Sequence, residues 1–369
     1  MWNHRDKPYQ ELPTAPDTAT LETPAVLKAT VSATRELARL DGICRLLPDP
    51  AILINIIPIM EAQASSEIEN VVTTNDELFK AASGATTNID AAAKEALRYR
   101  TALRVGYDSL AEKPITTNTA INICSHIIGK PAIIRNTPGT YIGNPSTKNP
   151  IYTPPVGERI IRNHLDAWEK LLHTRKDLDP LVAMIVAHYQ FEAIHPFFDG
   201  NGRTGRIINI LYLIESGLLQ LPILYLSGHI VRTKSRYYEL LNAVTTHDQW
   251  EPWILYMLDG IETTAQWTTQ LIENIHDMQQ SFEQKIRTAL PKMSAPDLNQ
   301  LIFKQPYIRI ENIVESGLAQ RQTASRWLNT LVEEKILDVE KVGRSLIFIN
   351  RELLALLFDT PLPNKTAVS

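Results

Sequence analysis

Apolar residues recur at three- and four-residue spacing along most of this chain, which predicts a mainly α-helical protein. Ala25–Leu47 carries the first long pattern. Pro48-Asp49-Pro50 then reads as a helix stop followed by a new helix start, and the next helix runs through Ala64. Helices are also expected over Asp90–Leu110, Thr117–Ile128, Glu158–Leu172, Leu181–Ala193, Ile207–Gly217, Ile223–Val244 and Trp250–Ala289. Between Ile133 and Pro155 the texture changes. Thr137-Pro138-Gly139-Thr140, Gly143-Asn144-Pro145 and Pro154-Pro155 surround short extended pieces, which predicts a small β-hairpin.

Pro291–Asp297 reads as a linker. Three short helical patterns follow, Leu298–Lys304, Ile310–Ser316 and Gln322–Glu334. Two β-prone runs, Ile336–Val339 and Leu346–Ile349, are joined through Gly343. Three helices and a two-stranded wing make the pattern of a winged helix.

The 369 residues are enough for two or three domains, and 44% hydrophobic and 21% charged residues are ordinary for a globular protein. A net charge of −4 gives no overall pull toward nucleic acid or an anionic membrane. Cys44 and Cys124 lie in apolar patterns without ligand spacing and read as buried thiols in a reducing compartment. Met1 to Asp6 lacks the apolar core of a signal peptide. Ala51–Met60 is interrupted by Asn55 and Pro58 and is too short to span a bilayer, so a cytoplasmic location and no membrane partner are expected.

The densest chemistry lies in His195-Pro196-Phe197-Phe198-Asp199-Gly200-Asn201-Gly202-Arg203-Thr204-Gly205-Arg206. Glycines admit backbone N–H groups to phosphate oxygens, arginines neutralise them, and the carboxylate can hold a divalent cation. Gly200 to Gly205 also satisfies the dinucleotide spacing G-x-G-x-x-G. That motif needs a preceding strand, whereas Leu181, Ile185, His188, Phe191 and Glu192 fall on a helical repeat. No Gly-Lys-Ser/Thr follows, so a Walker phosphate loop is absent as well. His188 lies outside the glycine–arginine cluster and reads as a core or surface histidine.

These twelve residues resemble the Fic family signature, H-P-F-x-[D/E]-G-N-G-R-x-x-R, at every specified position. The similarity extends from about Glu61 through the helices after the motif. The resemblance implies a mainly α fold with a β-hairpin flap and a C-terminal winged helix. It implies an inhibitory helical region in 1–110, a catalytic core in 111–290 and a winged helix in 291–369. Family members mostly transfer AMP from ATP to a Ser, Thr or Tyr hydroxyl of a target protein. By resemblance, His195 is the base and Asp199 binds Mg²⁺. Phe197, Gly200, Asn201, Gly202, Arg203, Gly205 and Arg206 form the phosphate-binding set, with Arg206 on the γ-phosphate. A neutral imidazole suits a base near pH 7, and a helix beginning at Ile207 would add its partial positive charge. Asp199 could also cap a helix.

Ser65-Ser66-Glu67-Ile68-Glu69-Asn70 resembles the family's inhibitory pattern, [S/T]-x-x-x-E-[G/N], on a helix of about 62–72. Ser65 and Glu69 are one turn apart. The resemblance implies that Glu69 pairs with Arg206 and obstructs the γ-phosphate site. Ile151 and Tyr152 fall in the flap that registers a target by strand addition. Tyr237, Tyr238 and Asn242 are adenine-side candidates, with ordinary helix packing as the other reading of the tyrosines. Arg321, Gln322, Arg326 and Asn329 offer a polar face to a major groove, yet acidic and basic residues balance in this module. DNA binding, protein docking and a homodimer all stay open for it. A nucleotide-sensing DNA regulator, transfer of another phosphate-linked group and AMP removal stay open as alternative functions.

Overall fold

The structure, a computed structural model, describes residue 2, residues 4–44, 51–84, 89–143, 150–342 and 345–359, and residue 362. The turns expected at Pro48-Asp49-Pro50 and Asn144-Pro145, and the wing glycine Gly343, lie outside the described residues. The N-terminal half contains α1 (Thr18–Leu21), α2 (Pro24–Ile43), α3 (Ala51–Ile68), α4 (Asn75–Ala82), α5 (Ala91–Ser109) and α6 (Thr117–Ile128). A hairpin of β1 (Ile142–Gly143) and β2 (Pro150–Tyr152) follows, then α7 (Glu158–Thr174), α8 (Pro180–Ile194) and α9 (Asn201–Glu215). Next come α10 (Leu226–Arg232), α11 (Lys234–His247) and α12 (Trp250–Ala289).

The core is arranged around α8. Asp179 caps it, its carboxylate accepting the Leu181 N–H at 2.8 Å, and Pro180 occupies the first turn. Every residue from Leu181 to Phe191 is buried, as expected of a helix with no solvent face. Trp168 and Trp253 pack around it, each donating an indole N–H to an α8 carbonyl, of Ala187 and Ile185 respectively. Forty-residue α12, about 60 Å long at 1.5 Å per residue, packs on α2 and α8 and carries the chain out to the C-terminal module.

That module comprises α13 (Ala295–Phe303), β3 (Tyr307–Ile308), α14 (Ile310–Glu315), α15 (Arg321–Glu333), β4 (Asp338–Val342), β5 (Ser345–Ile349) and α16 (Arg351–Asp359). Its sheet runs β3-β5-β4, all antiparallel, with Tyr307 opposite Ile349 and Val339 opposite Phe348. Buried Phe282, Ile302, Phe303, Leu328 and Phe348 fill the space between sheet and helices. The result is a mainly helical protein with a small β-hairpin and a C-terminal winged helix.

Several elements differ from the sequence reading. The helix expected from Ile207 begins six residues earlier, at Asn201, because Asn201, Arg203 and Arg206 are buried by their neighbours and not turned to solvent. The stretch Ile223–Val244 is two helices that break at Thr233, whose hydroxyl bonds the His229 carbonyl and the Tyr256 hydroxyl. Helix α13 starts inside the expected linker. The second helix runs past Ala64 but stops at Ile68, and Asn70 lies in the left-handed region with φ 63°. The inhibitory segment is therefore a helix end and its turn.

Candidate active site

The motif is the junction between two buried helices. His195 ends α8 with φ 48°, its N–H still bonded to the Phe191 carbonyl, so the imidazole leaves the helix axis. Gly200, at φ 81°, turns the chain into α9 in a conformation that favours glycine. Between them Asn201 closes the loop: its Oδ1 accepts the Phe197 N–H and its Nδ2 donates to the Phe197 carbonyl, both at 2.8 Å. Phe197 is thus a brace, with its N–H engaged and its ring buried against Phe191. The cap of α9 is Gly200 and not Asp199; the Asp199 carboxylate accepts the Gly200 N–H at 2.6 Å.

Arg206 has its guanidinium held from α3. Its Nε donates to Ser65 Oγ at 2.8 Å, and its Nη2 donates to the Ser65 carbonyl at 3.0 Å and to Glu69 Oε1 at 2.8 Å. That carboxylate also lies across the first turn of α9. A Cβ on Gly202 would collide with Glu69 Oε1 and stand 2.9 Å from Arg206 Nη1. Glu69 therefore occupies the head of α9, where the first N–H groups of a helix lack internal partners and favour an anion.

Arg203 faces the other way. It pairs with Glu95 of α5 and, at 3.2 Å, with Asp199, whose side chain is 70% exposed. Gly205 keeps space for the Glu192 carboxyl: a Cβ there would stand 2.7 Å from Glu192 Oε1.

Burial pushes the His195 imidazole down to about 4, with the Arg135 charge acting in the same direction against Glu69 and Asp199. His195 is therefore neutral at pH 7, the form that can accept a proton. Burial pushes the Glu69 carboxyl up, but the Arg206 charge and hydrogen bond, aided by Arg203 and His195, hold it below its usual range. Burial raises Glu192 to about 7, and Glu69 beside it adds to the rise. His188 is a core histidine. Its Nε2 meets the Tyr237 hydroxyl at 2.8 Å, its ring stacks on Trp253, and burial pushes it down to about 3.

The hairpin flanks this junction. Ile142 pairs with Tyr152, whose buried hydroxyl donates to the Ala193 carbonyl at 2.7 Å, leaving Ile151 as the exposed residue of β2. Tyr237 is buried among His188, Trp253 and Tyr256, so its packing reading holds. Tyr238 is 38% exposed and close enough to Glu69 and Arg206 for their charges to act on it, and Asn242 is half-buried one turn further on.

Arg135 escaped the sequence reading. Fully buried, it donates from Nε to the His195 carbonyl at 2.6 Å and from Nη2 to the Pro155 and Ile194 carbonyls; its N–H bonds the Pro196 carbonyl. One side chain thus ties the hairpin's base to the backbone of His195. An arginine in the apolar run Ala132-Ile133-Ile134 was the available signal.

No group of three His, Cys, Asp or Glu residues placed to hold a metal occurs among the described residues. Asp199, exposed and oriented by a backbone N–H and Arg203, is a carboxylate that would suit Mg²⁺, a cation commonly held through one or two protein carboxylates. No helix of the described residues is long and apolar enough to cross a membrane.

Three family models match the chain: Fic/DOC family N-terminal over 27–108, Fic/DOC family over 114–213, and Protein adenylyltransferase SoFic-like, C-terminal domain, over 278–353. The protein adenylyltransferase fic-1 of Caenorhabditis briggsae is 30% identical over 116 residues, 31% of this chain and 22% of that protein. A probable protein adenylyltransferase of Aquifex aeolicus is 42% identical over 60 residues, 16% of this chain and 19% of that protein. The chain therefore aligns with about a fifth of these relatives' length. A solved Fic family protein from Desulfovibrio desulfuricans superposes with TM-score 0.54 at 17% identity, covering 92% of this chain and 98% of that one. Fic-1 from Caenorhabditis elegans superposes with TM-score 0.52 at 20% identity, covering 68% and 75%. At those identities the likeness is one of fold.

Proposed function

Because the chain belongs to the Fic/DOC family, we propose that it is a protein adenylyltransferase, moving AMP from ATP to a hydroxyl side chain of a target protein. The observation that carries this reading is the convergence, at the head of α9, of a neutral His195, an outward-facing Asp199 and two buried arginines. Relatives bearing the name protein adenylyltransferase support it.

In this reading ATP lays its phosphates along the first turn of α9, over Gly200, Asn201 and Gly202. Arg206 takes the γ-phosphate, and Arg203, aligned by Glu95, faces the remaining oxygens. Asp199 would hold Mg²⁺, which when bound neutralises charge on the phosphates. His195 accepts the proton of the target hydroxyl as its oxygen bonds to the α-phosphorus; the bond to the β-phosphate oxygen breaks and pyrophosphate leaves. Arg135 fixes the backbone from which the imidazole projects. Ile151, on the hairpin, meets the target's backbone, and Tyr238 with Asn242 borders the adenine side.

Glu69 serves as a brake. Its carboxylate takes the anion position above Gly202 and the Arg206 guanidinium together, so a bound ATP loses the γ-phosphate contact that aims its α-phosphate. In the winged helix, Arg321 pairs with Glu311, and Arg351 with Asp338 and Glu340. These basic side chains are already neutralised, which favours protein docking over DNA. The division at 110 and 290 is part of the same reading: brake, catalytic core and docking module.

Incubation with Mg²⁺ and α-labelled ATP tests the reaction. Glu69→Gly protein should become labelled, or label a co-purified protein, and Glu69→Gly/His195→Ala should not. Equal labelling by the two would rule out His195 as the base.

A further inference from the structure

The helix that carries the brake holds one more acidic residue on the same face. Glu61, Ser65 and Glu69 follow each other at four-residue spacing on α3 and its end, so all three project to one side. Ser65 and Glu69 reach Arg206. Glu61 is 1% exposed and has no ion-pair partner among the described residues. Its Oε1 accepts the Tyr99 hydroxyl of α5 at 3.2 Å and the Ser227 hydroxyl of α10, and its Oε2 accepts the Ser227 N–H at 3.0 Å.

Burying a carboxylate without an ion pair is unfavourable, and burial pushes it up to about 7 against the opposing pull of the Ser227 hydrogen bonds, the Arg206 charge and the Tyr99 hydroxyl. An apolar residue would have served a helix that only needed packing, because Ile56, Ile57 and Met60 already face the core around it. What three hydrogen bonds add is a fixed position along and about the axis of α3. Packing alone fixes that weakly, since apolar contacts are non-directional.

The helix that follows α10 holds the far end of the segment. Lys234, the first residue of α11, donates from Nζ to Asn70 Oδ1 at 2.9 Å. The α10–α11 pair thus grips the inhibitory segment at Glu61 and at Asn70, on either side of Ser65 and Glu69. The Asn70 contact is exposed, whereas the Glu61 contact is not.

We propose that Glu61 is a positioning residue of the brake: through Ser227 and Tyr99 it sets α3 at the height and rotation from which Ser65 and Glu69 engage Arg206. The proposal rests on the reading of Glu69 as the obstruction. Loss of the Glu61 contacts leaves Arg206 and the motif intact but frees α3 to slip, and even a small slip removes a carboxylate placed above Gly202. Because only the braked state depends on this placement, the loss favours the active state.

The test is the transfer of label from Mg²⁺ and α-labelled ATP to protein by the full chain, read with the pyrophosphate released and compared among the wild type, Glu61→Leu, Glu61→Gln, Glu69→Gly and Glu61→Leu/Glu69→Gly. Glu61→Leu should raise the rate about tenfold or more over wild type, the equivalent of losing one hydrogen bond to a charged group. Glu61→Gln keeps the volume and one acceptor oxygen but turns an NH2 toward a donor the carboxylate had accepted, and should raise the rate by an intermediate amount, about threefold. The double variant should match Glu69→Gly, because a released brake has nothing left to position.

An active Glu69→Gly beside an unchanged Glu61→Leu overturns the role of Glu61 and leaves the brake standing. An inactive Glu69→Gly overturns the brake and this proposal with it. A double variant well below Glu69→Gly makes Glu61 a support of the fold and contradicts the proposal. If Glu61→Leu does not fold, Ser227→Ala removes one donor only and should raise the rate about threefold; no change there counts against it.

Discussion

The two arginines of the motif lie three residues apart on α9, each paired with acidic side chains, yet their surroundings differ. Arg203 is held by Glu95 from inside and shares Asp199, a carboxylate turned mostly to solvent. Arg206 is held by Ser65 of α3 and by Glu69, in the turn after that helix, whose carboxylate lies over the head of α9. One half of the site is oriented and open, and the other is oriented and filled. Both are preorganised, so on the proposed reading the difference between an active and an inactive site lies in a single carboxylate and not in the folding of the motif.

That contrast can be broken from either side. The largest effect is expected at the residue both halves serve: in a Glu69→Gly background, His195→Ala should cost about 10³-fold or more in AMP transfer while leaving Mg²⁺-ATP binding in place, measurable by labelled transfer beside calorimetry. In the open half, Asp199→Asn should cost about 10²-fold in transfer and weaken the Mg²⁺ dependence of ATP binding, with little change in melting temperature because the side chain is exposed.

In the filled half, Glu69→Gly should raise transfer by about 10- to 100-fold, the reverse of losing a blocking ion pair partner. Gly202→Ala tells displacement of Glu69 from opening of the site. Its Cβ pushes the carboxylate aside but takes the same space, so it should fail to activate and should weaken ATP binding about tenfold. The smallest effect expected is that of pH. Because only neutral imidazole accepts the proton and burial holds His195 near 4, transfer by Glu69→Gly should stay level from about pH 8 to 5 and fall as pH approaches 4. Removing Glu69 also removes a charge that favoured the imidazolium, which moves the fall lower still. A fall centred near 6.5 would mean that His195 is solvated as an ordinary histidine.

How much of this the sequence carried follows from where each partner sits. The open half is contiguous from His195 to Arg206, and its chemistry was legible in a dozen residues. The filled half was legible only through the family resemblance, since a Ser and a Glu one turn apart also describe an ordinary solvated helix face. Arg135, Glu95 and Glu61 were not read at all. Each acts on a residue far away in the chain, and nothing local distinguishes a buried polar residue from an exposed one. The start of α9 was missed for a related reason: Asn201, Arg203 and Arg206 look like loop residues until their partners bury them. By contrast, α4 carried a local signal that was overlooked, the capping box of Thr74 and Glu77.

The winged helix was legible as a pattern because the β-prone run Leu346–Ile349 and the helical repeats before it are local. Strand β3 was not, being two residues that pair only with the distant β5. Here too what depended on a long-range partner stayed hidden.

Intact-mass spectrometry after incubation with Mg²⁺-ATP tests the central claim, that a competent AMP-transfer site is held closed by Glu69. A +AMP adduct should appear on Glu69→Gly protein or on a protein purified with it, be scarce on wild type, and be absent from Glu69→Gly/His195→Ala. A folded Glu69→Gly protein that binds Mg²⁺-ATP and forms no adduct beyond the wild-type level would contradict it.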